Sequence, residues 1–240
     1  EGLTMRELSG KPIRPPEEWR SGDGRLKVLD QQGIHAAIIF PTLASVIEER
    51  LGRAPETMGA LFHSLNRWTS EEWGFAREGR LFGVPMITLA DLDNAIAELE
   101  FVLAQGARVI ALRPAPVPDL RGPRSFGLPQ YDPFWARAEE MEIPLTLHIL
   151  TGRVRDPFYF HTRKEREQSG RAFLGVYGEA SGVLLNDFIL GGIFDRFPRL
   201  SLVSSEFEIS WLPHYMWRAD NVGEPSFAAR LNLEQRKLKP

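Results

Sequence analysis

Four side chains in this sequence pair a reactive group with a position where it could be used: His148, Glu206, Arg113 and His161. His148 stands near the C-terminal end of Ile143-Pro-Leu-Thr-Leu-His-Ile-Leu150, an otherwise apolar run that reads as a buried strand. A neutral imidazole on a rigid strand can ligate zinc; the alternative is a core histidine bonded to backbone. Glu206, in Ser204-Ser-Glu-Phe-Glu208, ends a second such run. Its carboxylate could serve as general base on a metal-bound water or ligate the metal, or it could be a salt-bridged strand terminus. Arg113 closes the run Val109 to Leu112, where a guanidinium can grip a substrate carboxylate with two parallel bonds or form a buried structural ion pair. His161, in the polar stretch Phe158-Tyr-Phe-His-Thr-Arg163, could line a substrate pocket or stand exposed on a loop.

These residues matter only if the chain brings their strand ends together, and the pattern of elements indicates that it does. Residues 1–24, rich in Pro, Gly and charge, read as an arm or loop. Leu26 and Leu29 then share a helical face that Gly33 terminates, and Ala36 to Phe40 is an apolar strand closed by Pro41. Pro55 to Arg80 reads as an amphipathic helix broken near Thr69-Ser70, and Leu81 to Leu89 as a strand with Pro85 at its start or at an irregularity. Asp91 caps a helix stopped by Gly106, which leads to a strand over Arg108 to Arg113. Asp132-Pro133 opens a helix running to about Glu142, with aspartate as N-cap, and delivers the chain to the His148 strand. A helix from Ala180 to Phe194, a strand from Leu200 to Glu206 and a helix from Ile209 to Asn221 complete the series.

Strict alternation of helices with near-continuous apolar strands predicts a parallel sheet with helices outside, as a barrel or a doubly wound sheet. No glycine-rich turn follows the first strand, so a dinucleotide-binding version is unsupported. In a (β/α)8 barrel, side chains at the C-terminal strand ends converge on one mouth, which is where His148, Glu206 and Arg113 would meet. Five strand candidates are present in 240 residues, so the barrel is incomplete in this sequence.

Composition narrows the chemistry. The formal net charge of -3 is small and the charges are interspersed, which argues against nucleic acid and other polyanionic partners. There is no cysteine, so disulfides, thiolate nucleophiles and cysteine-held zinc are excluded and His, Asp and Glu remain as strong metal ligands. No apolar run approaches a membrane span and the start lacks a signal pattern, so a cytoplasmic protein without membrane partners is expected. The tryptophans and tyrosine at helical spacing, Trp68/Trp73 and Trp211/Tyr215/Trp217, read as core or subunit packing, consistent with a homo-oligomer such as a dimer.

Several segments together resemble the amidohydrolase-related family. They are Arg25-Leu-Lys-Val-Leu-Asp-Gln-Gln-Gly-Ile34 with Phe40-Pro41, Gln105-Gly-Ala-Arg-Val-Ile-Ala-Leu-Arg-Pro114, Tyr131-Asp-Pro-Phe-Trp135, Ile143-Pro-Leu-Thr-Leu-His148, Gly192-Ile-Phe-Asp-Arg-Phe-Pro-Arg-Leu200 and Trp211-Leu-Pro213. The resemblance implies a single distorted (β/α)8 barrel with one divalent metal, zinc or manganese, at the strand mouth. It implies activity as a decarboxylase or hydrolase on a small carboxylated or cyclic substrate. His148 matches the metal-ligating histidine of the family's fifth strand, and Glu206 falls where the sixth strand carries a histidine that handles the proton of bound water. No Asp-x-His or His-x-His precedes Ala36, and no strand with a terminal aspartate follows Glu206. The resemblance therefore implies that strand 1 and the last strands are missing from this sequence. If those ligands are truly absent, the metal would be too, and the chain would be an inactive barrel relative that binds a ligand or protein.

Overall fold

The computed structural model describes residues 14–41, 44–148 and 185–222. A short 3-10 turn at Glu17–Trp19 precedes α1 (Gly22–Gln32), so the helix begins inside the stretch expected to be an arm. Ser21 explains the early start: its hydroxyl accepts from the Gly24 N–H, satisfying one of the unpaired donors of the first turn. Gly33 ends the helix with φ of 66°, a left-handed conformation that glycine adopts without steric cost.

From there the order is β1 (Ala37–Ile39), α2 (Ala44–Leu51), α3 (Pro55–Glu72), β2 (Leu81–Gly83), α4 (Leu92–Ala104), β3 (Ile110–Leu112), α5 (Asp132–Glu140), β4 (Leu145–His148), α6 (Ile193–Arg196), β5 (Leu202–Ser205) and α7 (Trp211–Val222). α2 is an element the sequence reading lacked. α3 runs unbroken through Thr69 and Ser70, correcting the expected break; the Thr69 hydroxyl bonds back to the Leu65 carbonyl and does not compete with the helix. The helix expected over Ala180 to Phe194 is interrupted: residues 185–189 are helical, and α6 begins only after Gly192, whose φ is 71°.

All recorded strand pairings between named strands are parallel. β1 pairs with β2, and β3, β4 and β5 form a second sheet in that order. A bridge between Met86 and Ala111 joins the two. Spatial order thus follows chain order without reversal, which favours the barrel over a doubly wound sheet, since the latter needs a switch point. The fold is α/β of the barrel type with five strands, and no barrel closure is seen among the described residues.

The core explains the sidedness. Ile110, Leu112, Leu145 and Leu147 pack with Leu99 and Val102 of α4 and Phe134 and Trp135 of α5. Strand side chains alternate, so Ala111, Thr146 and His148 point to the opposite, concave face. Ile38 of β1 is 56% exposed and Val203 of β5 is 45% exposed, which corrects the expectation of wholly buried strands. Both alternate with residues packed on the helical side, and both lie on the outermost strands, where no described strand covers the concave face.

The irregularity at Pro85 has a specific device behind it. Pro85 and Ile87 bond to Ala111 on one side, while on the other the side chain of Asn66 from α3 stands in for a strand. Its amide donates to the Met86 carbonyl at 2.9 Å and its oxygen accepts from the Met86 N–H at 3.0 Å. The same amide donates to Glu98 of α4 at 2.8 Å, and Glu98 also accepts from or pairs with His63 at 2.8 Å.

Asp91 caps α4 as the sequence indicates, its carboxylate accepting from the Asn94 N–H at 3.1 Å. Asp91→Ala is expected to destabilise the protein by ~1 kcal/mol in urea denaturation. A loss below a few tenths would show the cap to be dispensable. The matching expectation for Asp132 fails. A 3-10 turn at Pro129–Tyr131 precedes it, Asp132 lies inside the first turn of α5, and its carboxylate takes the Arg196 guanidinium at 2.9 Å. Arg196 also donates to the carbonyls of Gly191 and Gly127, two glycines that pack closely: a Cβ on Gly127 would lie 2.7 Å from the Gly191 Cα.

Candidate active site

The C-terminal strand ends carry a row of polar side chains on the concave face. His148 is the last residue of β4, and in the β4–β5 register it lies opposite Ser205. Leu112 lies opposite Leu147, so Arg113, one residue on, falls level with His148. Met86 lies opposite Ala111, and Thr88 extends the same face from the preceding strand segment. The row therefore reads Thr88, Arg113, His148 and Ser205, with Glu206 immediately after.

His148 is largely enclosed, its side chain 11% exposed, and the Phe40 ring lies against it with centroids 4.1 Å apart. Its Nε2 is 3.7 Å from Glu206 Oε2. Burial pulls the imidazole below its ordinary pKa, and the Glu206 carboxylate pushes it partly back. The neutral form, which can accept a proton or bind a cation through a lone pair, is thereby favoured near neutral pH. Glu206→Gln should remove the opposing push, so the His148 ring titration followed by NMR is expected to move to lower pH. No movement would show that the two groups do not interact.

Glu206 reaches this position through an unusual backbone. Both Glu206 and Glu208 have positive φ, 61° and 57°, where a side chain with a Cβ costs roughly 1–2 kcal/mol per residue. The turn is held by Trp211, whose indole N–H donates to the carbonyls of Phe207 at 2.9 Å and Glu208 at 3.1 Å. Phe207 is buried beneath it. Below the mouth, the hydroxyls of Thr146 and Ser205 share a 2.9 Å bond that ties β4 to β5. Among α7's aromatics, Trp217 is 63% exposed and Trp68 on α3 is 50% exposed, so neither is core.

Arg113 has a partner that sequence reading missed. Its side chain is 12% exposed, and its Nε is 3.9 Å from Glu48 Oε2 of α2. Glu48 is buried and also receives the Thr88 hydroxyl. The signal was present: Ala44, Ile47, Glu48 and Leu51 stand at i, i+3, i+4 and i+7, placing a carboxylate within an apolar stripe. His161 lies outside the described residues.

Among the described residues, no group of three or more His, Cys, Asp or Glu side chains could hold a metal ion. His148 and Glu206 supply two donors, whereas a catalytic zinc site usually has three from the protein. No helix of the described residues is long and apolar enough to cross a membrane.

Comparison with known proteins agrees with this architecture. Over 213 residues the chain is 27% identical to γ-resorcylate decarboxylase from Rhizobium sp. (strain MTP-10005), covering 83% of this chain and 59% of that protein. The amidohydrolase map2389c from Mycobacterium avium subsp. paratuberculosis K-10 superposes with a TM-score of 0.77 at 31% identity, covering 88% of this chain and 55% of that one. The dihydroxybenzoic acid decarboxylase of Polaromonas sp. JS666, with bound manganese and the inhibitor 2-nitroresorcinol, shares the fold at a TM-score of 0.55 and 21% identity, over 89% of this chain and 60% of that one. The chain thus spans less than two thirds of the length of each. The sequence profile described as Amidohydrolase matches residues 15–233, nearly the whole chain, and the chain therefore belongs to the amidohydrolase family.

Proposed function

We propose that this chain supplies the strand-mouth portion of a metal-dependent decarboxylase, or hydrolase, acting on a small carboxylated cyclic substrate. The observation that carries the reading is the row at the mouth: a cation, an imidazole and a carboxylate, Arg113, His148 and Glu206, at the ends of three adjacent strands. The similarity to decarboxylases of dihydroxybenzoates supports an aromatic acid as substrate.

In this reading Arg113 orients a substrate carboxylate, since a planar guanidinium matches that group with two bonds. Decarboxylation breaks the ring–carboxyl bond, leaves the electron pair on carbon and requires a proton there; His148 and Glu206 are the groups that exchange and hold it. In hydrolysis the same pair would take the proton from attacking water. A divalent metal, zinc or manganese, would stabilise negative charge if bound; His148 would then be one of its ligands, its lone pair taken, and Glu206 alone would hold the proton. The described donors do not complete such a site. His161 would line the pocket.

The test is to incubate the full protein with 2,6-dihydroxybenzoate and follow carbon dioxide release together with metal content. Release above background with a stoichiometric divalent metal supports the reading. No turnover of hydroxybenzoates or of ester and lactone substrates would overturn it and favour a ligand-binding relative.

A further inference from the structure

Glu48 is a buried carboxyl that the proposed chemistry does not use. It is 4% exposed and lies on α2, which bridges the ends of the strand segments carrying Thr88 and Arg113. Facing it are the Thr88 hydroxyl from the segment after β2 and the Arg113 guanidinium from the end of β3. α3 packs Met58 and Phe62 around Ala44 of the same helix, an apolar contact. His148, one strand beyond Arg113, is held toward its neutral form by burial.

The pair is not a closed ion pair. At 3.9 Å the Arg113 Nε and Glu48 Oε2 are too far apart to hydrogen-bond, and the buried Nε has no hydrogen-bond partner among the described residues. Leaving such a donor unsatisfied is costly, so Glu48 does not fully compensate the guanidinium.

We propose that Arg113 and Glu48 form a proton-linked carboxylate site: the guanidinium takes the carboxylate of a small aromatic acid, and Glu48 takes up one proton from solvent as it binds. The reason is charge balance. One buried cation stabilises one anion well, but a second carboxylate a few ångströms from the first is opposed by repulsion unless one of them is neutral. Glu48 is the one that can be neutralised cheaply. Burial pushes its carboxyl up to about 7, despite the Thr88 bond and the Arg113 charge that pull it down.

This rests on the mouth being the substrate site, and it adds a proton dependence that the proposed chemistry does not contain. The experiment is isothermal titration of benzoate into the full protein at pH 6 and pH 8, in buffers of different ionisation enthalpy. Wild-type protein is expected to bind about tenfold more weakly at pH 8 than at pH 6, with close to one proton taken up at the higher pH. Glu48→Gln should take up no proton and bind equally at both pH values, near the wild-type affinity at pH 6. Arg113→Met should lose benzoate binding at both.

Binding that depends on Arg113 without proton uptake overturns the role of Glu48 and leaves the reading of the mouth intact. No benzoate binding by wild-type protein at pH 6 overturns the site itself. Should Arg113→Met fail to fold, Glu48→Gln decides alone: retention of the tenfold pH dependence in that variant refutes the proposal.

Discussion

Under the proposed decarboxylation, replacing His148 by alanine is expected to lower turnover of 2,6-dihydroxybenzoate by ~10²–10⁴-fold, the range that a positioned proton-transfer group contributes. The imidazole is largely enclosed, packed on Phe40 and 3.7 Å from Glu206. Alanine removes the proton-holding atom and a potential cation ligand together, so metal content of the purified variant should fall as well. Its thermal stability should change little by comparison, because the helical core of β4 is carried by Leu145 and Leu147 on the other face. Turnover and metal content equal to wild type would eliminate His148 from the site. Glu206→Gln separates the partner's role: unchanged turnover there would leave the carboxylate with only its effect on the His148 titration.

The largest expected loss of stability comes from Asn66, which is fully buried on α3. Asn66→Ala strips hydrogen bonds from both the N–H and the carbonyl of Met86 and from Glu98. Each orphaned buried polar group costs ~1–3 kcal/mol and Glu98 keeps its His63 contact, so the two Met86 groups imply a loss of roughly 2–6 kcal/mol in urea or guanidinium unfolding. Asn66→Asp probes the same geometry more gently: it keeps the acceptor for Met86 N–H but places a carboxylate beside Glu98. It should also destabilise, and more at high pH than at low, since protonating either acid restores a donor. A loss under about 1 kcal/mol for the alanine variant would mean that water replaces the amide.

Both effects depend on contacts far apart in the chain, and this divides what was legible beforehand from what was not. Local signals placed the helices and strands: Gly33 and Gly106 in left-handed stops, Asp91 as a cap, and the apolar runs that became β3, β4 and β5. They failed where a tertiary partner overrode the local preference. Asp132 looked like an N-cap but is taken by Arg196, 64 residues away. α2 went unseen because its apolar stripe contains Glu48, whose burial only the Thr88 hydroxyl and the Arg113 charge offset.

The sequence by itself determined the alternating α/β pattern, the family resemblance and the residues that end the strands, because periodicity, caps and stops are read within a few positions. Tertiary structure decided which of those strand ends share a face and what each one meets. Parallel register set Arg113 level with His148, a left-handed turn brought Glu206 to the imidazole, and α2 delivered Glu48 to the guanidinium. The physical reason is that charge, burial and hydrogen-bond satisfaction are properties of neighbours in space, which no spacing along the chain specifies.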